Sequence, residues 1–157
     1  IKVENAVFLV FPDQALAVPQ ANVQINGIIG FPVIEAMKEI QLTKKGEFIV
    51  PKQKSSHPLQ NMAINFLNPI IYLDGENYTF DSGANTTTLY DTYFTKQGYV
   101  ITFKTRINDQ PIVMDSIELF KEPLTDETYF AGNIGQDIIK KFDKMTINFE
   151  SMFIRFD

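Results

Sequence analysis

The chain has 157 residues, 45% of them hydrophobic, which suits one domain or two small ones with a real core and argues against disorder. A net charge of −5 and a pI near 4.9 leave no basic stripe to neutralise phosphates, so nucleic acid is not an expected partner. Disulfides, thiolate metal sites and a Cys nucleophile are excluded by the absence of Cys, and a lone His57 argues against a His-rich metal site or a Ser-His-Asp triad.

No apolar run approaches the length of a membrane span, and no signal-peptide pattern is legible in these residues, which says nothing about the parent protein. The chain opens on Ile1 within a strand-like pattern, which reads as a processed or truncated product. Residues 1–11 alternate at first and then run apolar, as a half-buried strand does on entering a core. Pro12-Asp13-Gln14 breaks that run. Gly27 to Gly30 is a short Gly-bounded apolar segment, and Pro32 suits the first turn of a helix whose apolar face is Val33, Ile34 and Met37. Ile40 and Leu42 alternate as a strand, and Lys44-Lys45-Gly46-Glu47 turns into Phe48-Ile49-Val50.

A polar linker follows, its core at 53–58, between a first domain at 1–52 and a second at 59–157. In the second, Met62, Ile64 and Phe66 alternate as a strand, Pro69 to Leu73 form another, and Asp74-Gly75 marks a hairpin into Asn77–Phe80. Leu89, Tyr93 and Phe94 have helical spacing. Tyr99–Phe103 and Pro111–Met114 flank a long hairpin with its turn at Asn108-Asp109-Gln110, and Ser116–Phe120 reads as a further strand. Gly132 to Gly135 again leads into a short helix, with Ile138, Ile139 and Phe142 on its buried face. Met145, Ile147 and Phe149 alternate, and Phe153–Phe156 closes the chain as a strand.

The two Gly-bounded segments match without a gap at an offset of 105 residues. Gly27, Ile29, Gly30 and Ile34 fall on Gly132, Ile134, Gly135 and Ile139, and Phe48 and Ile49 fall on Phe153 and Ile154. Such a unit is too long for a solenoid and has the size of one lobe of a duplicated β domain. The second copy looks whole, the first only its later half. Asp81 precedes Gly135 by 54 residues, and the same distance ahead of Gly30 falls before Ile1.

Phe80-Asp81-Ser82-Gly83-Ala84 places one carboxylate at a tight turn after a strand. It resembles the Asp-Thr/Ser-Gly-Ala signature of aspartic peptidases, in the retropepsin-like branch of the pepsin superfamily. Ile134-Gly135-Gln136-Asp137 resembles that family's second element, which packs behind the catalytic loop, and Ile28-Ile29-Gly30 looks like the same element of a preceding lobe.

The resemblance implies a mostly β fold with short helices, a closed or semi-closed barrel per lobe, and an aspartic endopeptidase. Two Asp residues share a proton there, one activating a water and the other polarising the scissile carbonyl. It implies Asp81 as catalytic; Ser82, Gly83, Ala84, Ile134 and Gly135 as its support; and Asn108, Asp109 and Gln110 as a candidate flap. The expected partners are a peptide or protein substrate and either an upstream lobe or a second copy of the chain, with no metal or organic cofactor. This sequence holds a single Asp-Thr/Ser-Gly motif, so the chain alone is expected to be inactive unless a second Asp comes from outside. Asp137, at a helix start, reads as structural. A non-catalytic peptide-binding or structural domain on the same fold is the alternative. No compartment is legible, and an exported parent protein is the favoured expectation.

Overall fold

Hydrophobic alternation and turn chemistry give a mostly β chain with, among the described residues, two short α-helices. The computed structural model describes residues 2–4, 6–7, 9–18, 23–90, 101–107, 110–120 and 130–157. The chain divides into two compact units, Ile1–Lys38 and Glu39–Asp157. The expected boundary lay within 53–58; the observed one falls at residue 38, because the hairpin that follows pairs with the end of the chain.

The first unit holds a short 3-10 helix (Asp13–Leu16), a minimal antiparallel pair of β1 (Ala17–Val18) and β2 (Val23–Gln24), and helix α1 (Phe31–Ala36) with Pro32 in its first turn. The strand expected over 1–11 does not form among the described residues, and Val7, Leu9, Val10 and Phe11 are exposed. An apolar run without a ladder partner has nothing to pair its backbone with.

In the second unit, β3 (Glu39–Thr43) and β4 (Phe48–Ile49) form a hairpin. Next come β5 (Met62–Asn65), β6 (Asn68–Leu73), β7 (Glu76–Phe80) and β8 (Thr88–Tyr90), then β9 (Ile101–Ile107) and β10 (Gln110–Phe120). The chain ends with β11 (Gly132–Ile134), α2 (Gln136–Ile139), β12 (Lys144–Asn148) and β13 (Phe153–Phe156). One sheet runs β5-β6-β7-β11-β8-β10-β9 and the other β13-β12-β3-β4. Both are open at their edges, so of the closed or semi-closed barrel expected from the resemblance the closed form is not present among the described residues.

Three local expectations are corrected. Leu89 lies in β8 rather than a helix, because it pairs with Gly132 on one side and Leu119 on the other. Tyr93 and Phe94 lie outside the described residues. Ser116–Phe120 is not a separate strand but the continuation of β10 past an irregularity between Met114 and Ile117. Phe66 is not the end of a strand. With Leu67 it forms a two-residue turn between β5 and β6, at φ 45° and 68°. The next hairpin uses Asp74-Gly75 for the same purpose, at φ 48° and 92°. Positive φ suits Asp-Gly in such a turn and strains Phe-Leu. Phe66 is also 91% exposed.

In the second sheet, β3 pairs antiparallel with β12, and Gln41 lies opposite Thr146, its counterpart at the offset of 105 residues. Ile40 and Leu42 lie opposite Ile147 and Met145 in the same reciprocal way, so this strand pair has local two-fold symmetry. The outer strands break it by one residue. Leu42 pairs with Phe48 in the first hairpin, whereas Ile147 pairs with Ile154 rather than Phe153 in the second.

At one end of the β3–β12 pair, Glu39 is fully buried. Its carboxylate accepts from Ser55 N at 2.6 Å, Ser55 Oγ at 2.8 Å, Asn148 Nδ2 at 2.7 Å and Gln41 Nε2 at 3.1 Å. The stretch around Ser55 is therefore clipped to the sheet rather than acting as a free linker. Burial by itself pushes the Glu39 carboxyl up. The hydrogen bonds from Ser55, Asn148 and Gln41 outweigh it and hold the group below its ordinary value.

The core of this unit is built from Ile71, Leu89, Ile117, Ile134, Ile138, Phe153 and Ile154, with Phe156 packed against both Phe80 and Phe142.

Two outcomes are expected. A depressed folded-state value means the Glu39 contribution is fully present above the ordinary glutamate value of 4.5 and is lost as pH falls through the lower, folded value. Thermal melts should therefore show a loss of stability on acidification below about pH 4.5 that Glu39→Gln reduces, this variant being less stable at neutral pH by about 2 kcal/mol because donors then face donors. Replacing Phe66 and Leu67 with Asn and Gly should raise stability by about 1–2 kcal/mol, read from urea midpoints at unchanged m-value.

Candidate functional site

Asp81 stands where β7 ends. Its backbone N–H donates to Ile134 O at 3.1 Å, and Ala84 N–H donates back to Asp81 O at 3.2 Å, closing a tight turn. The carboxylate is exposed, and its Oδ1 accepts from Gly83 N–H at 2.8 Å. A Cβ on residue 83 would sit 3.1 Å from that same oxygen, so glycine keeps the carboxylate close to the amide. Among the described residues the Gly83 N–H is the one donor to the carboxylate, from within its own turn.

The loop is braced from behind by β11 and α2. β11 lies between β7, to which it is parallel, and β8, to which it is antiparallel. Gln136 N–H donates to Ala84 O at 2.8 Å, and Gln136 Nε2 donates to Ser82 O at 2.6 Å. Gly132 and Gly135 let the backbones approach this closely. A Cβ at 135 would lie 2.5 Å from Thr86 O, and one at 132 would overlap Thr88 O.

Thr87 is the fastening point. It is buried, its hydroxyl accepts from Gly135 N–H at 3.0 Å and donates to Asp137 Oδ1 at 2.6 Å, and its N–H reaches both Asp137 oxygens at 2.9 Å. Asp137 also accepts from Ile138 N–H at 2.9 Å. The acid at the helix start thus ties α2 to the far end of the Asp81 loop, a stronger role than a dipole partner. Thr87 did not stand out in the sequence, and Gln136 did so only as a member of the Ile134–Asp137 motif, with no role of its own. The one available clue was an Asp-bearing helix start next to a Gly, and its partner lies 50 residues away.

Beside Asp81 is an open cavity of about 540 Å³, lined among others by Asn68, Thr79, Ala84, Thr88, Tyr90 and Asn133. Thr79 Oγ1 donates to Asn133 Oδ1 at 2.7 Å, fixing β11 against β7 on that wall. The structure thus brings Asp81, Ser82, Gly83, Ala84, Ile134 and Gly135 into one cluster.

It does not bring Gln110 there. Arg106 N–H and Thr105 Oγ1 donate to Asp74 Oδ2 at 2.7 and 3.2 Å, so the turn end of the β9–β10 hairpin sits by the β6–β7 turn. β7 separates that turn from Asp81, a span of roughly 20 Å. Gln110 lines a second cavity of about 700 Å³ with Asp74, His57 and Arg155. As placed, Gln110 lies away from Asp81, and Asn108 and Asp109 lie outside the described residues.

Among the described residues no group of three or more His, Asp or Glu side chains is placed to hold a metal ion, and no helix is long and apolar enough to cross a membrane. No family model, no curated protein and no solved structure matches this chain.

Asp81→Asn should leave thermal stability within about 0.5 kcal/mol of the unmodified chain, as befits an exposed side chain. Asp137→Ala should cost about 2–3 kcal/mol by stranding the Thr87 donors, measured by urea titration.

Proposed function

We propose that this chain is part of an aspartic endopeptidase, in which Asp81 supplies one of the two carboxylates that activate water for peptide-bond hydrolysis. The observation that carries the reading is the Asp81 turn. An exposed carboxylate stands at a strand end, is held by the amide two residues on, and is backed by a strand threaded between its own two flanking strands. That arrangement fits a residue that must stay in place with no packing of its own.

Hydrolysis needs a base to take a proton from water and an acid to polarise the carbonyl, and one carboxylate cannot do both at once. The partner acid therefore comes from a second lobe or a second subunit, and the two share a proton because like charges at short range resist double ionisation. The repeat favours a pepsin-like origin by duplication. Supporting it, α1 and α2 start with the same hydrogen bonds. Val33 and Ile34 N–H donate to Gly30 O, as Ile138 and Ile139 N–H donate to Gly135 O. The reciprocal pairing of β3 and β12 points the same way.

A second reading, a non-catalytic peptide-binding domain on this fold, is favoured by the exposure of Asp81 and by its carboxylate accepting from Gly83 N–H within its own turn.

The experiment is peptide cleavage from acid to neutral pH across a range of protein concentrations, so that a second copy can supply the partner acid, and with any adjoining lobe present. Activity that falls by about a thousandfold or more in Asp81→Asn is the expected result. Peptide binding with no cleavage at any pH selects the second reading.

A further inference from the structure

Gly132 and Gly135 are glycines for a visible reason. Their α-carbons face strand backbone so closely that a Cβ at 132 would overlap Thr88 O and one at 135 would lie 2.5 Å from Thr86 O and 3.0 Å from Ala84 O. Their counterparts at the offset of 105 residues, Gly27 and Gly30, face no such backbone. A Cβ at 27 would meet nothing within 4 Å, and one at 30 only Pro32 Cδ at 3.7 Å. Neither has a positive φ that would demand glycine for the chain's own sake. Ile134 is fully buried between β7 and β8, while Ile29 at the matching position is 58% exposed and Ile28 beside it is 73% exposed. Residues 25–30 form no strand, whereas 132–134 do. Helix α1 has no buried residue, whereas α2 buries Ile138.

We propose that Gly27–Gly30 is the docking site for a strand–loop–strand segment of the same build as Glu76–Tyr90, which receives Gly27-Ile28-Ile29 as a third strand between its own two. This rests on the peptidase reading above and names the partner that reading requires. The two glycines give the clearance, the exposed isoleucines give the apolar contact, and the unpaired backbone gives the ladder bonds. The occupant is an additional segment and not a second copy of this chain, because in each copy Glu76–Phe80 and Thr88–Tyr90 already hold Gly132–Ile134 between them.

The test joins a duplicate of residues 59–90 through a flexible linker ahead of the full chain. Backbone hydrogen exchange at Ile28, Ile29 and Gly30 is then compared in the joined and unjoined proteins. The expected result is exchange slowed by about tenfold or more in the joined protein. Gly27→Val with Gly30→Val should abolish that protection, yet leave the melting of the unjoined chain unchanged, since both side chains have room there. Unaltered exchange in the joined protein overturns the proposal, as does protection that survives the valine pair. A concentration-dependent dimer of the unjoined chain by light scattering, with 28–30 protected, makes a second copy the occupant and also overturns it. Peptide cleavage by the joined protein, with and without Asp81→Asn, is scored separately. Protection without cleavage sinks the peptidase reading alone, and cleavage without protection sinks the docking site alone.

Discussion

The second unit depends on three residues, Gly132-Asn133-Ile134, lying between two strands that are neighbours in sequence. β7 and β8 are joined by the loop that carries Asp81, and in a simple hairpin they would pair with each other. Here their facing edges are both satisfied by β11, with ladder bonds to each side. The loop is held open by a strand's width, and its backbone is pinned at both ends, at Asp81 by Ile134 and at Thr87 by Asp137. An exposed carboxylate thereby gains a fixed position without being buried, which is the combination a reacting group requires.

Symmetry is the other organising constraint. The β3–β12 pair is reciprocal about Gln41 and Thr146, yet its ends differ. Glu39 lies opposite Asn148 at one end, and Thr43 lies opposite Lys144 at the other. The Glu39 end gathers four donors onto one buried carboxylate and fastens the Ser55 stretch. That cluster explains why a polar, proline-bounded sequence is not a free hinge: its N–H and hydroxyl have a better acceptor than water.

The residue pattern was readable wherever local chemistry decides the outcome. Asp74-Gly75 is a turn because positive φ suits it, and Met62 and Ile64 alternate because one face of β5 is half-buried. Phe66 continued that alternation in sequence while the chain had already turned, since nothing in a bulky Phe-Leu pair announces positive φ. Leu89 and Tyr93 have helical spacing, but strands on both sides claim Leu89. The apolar run at 7–11 met no strand, because a strand needs partners that periodicity cannot count. Gly132 and Asn133 are poor strand formers and only Ile134 favours a strand, so the insertion was not legible from periodicity and only the resemblance put this segment behind the Asp81 loop. Of the site, the Asp81 turn and its Ile134-Gly135 brace were visible as motifs. Thr87 was not, because its role is defined by an acid distant in sequence.

A strand inserted between two older neighbours also dictates a schedule. On a ribosome, β7 and the Asp81 loop emerge long before β11; β7 can pair with β6 on one edge, but its other edge has no correct partner until β11 arrives. The cheapest local alternative, β7 closing directly on β8, is a trap that must reopen. Any factor that delays that premature closure, whether the pace of translation or a chaperone resting on the nascent edge, would favour the inserted arrangement.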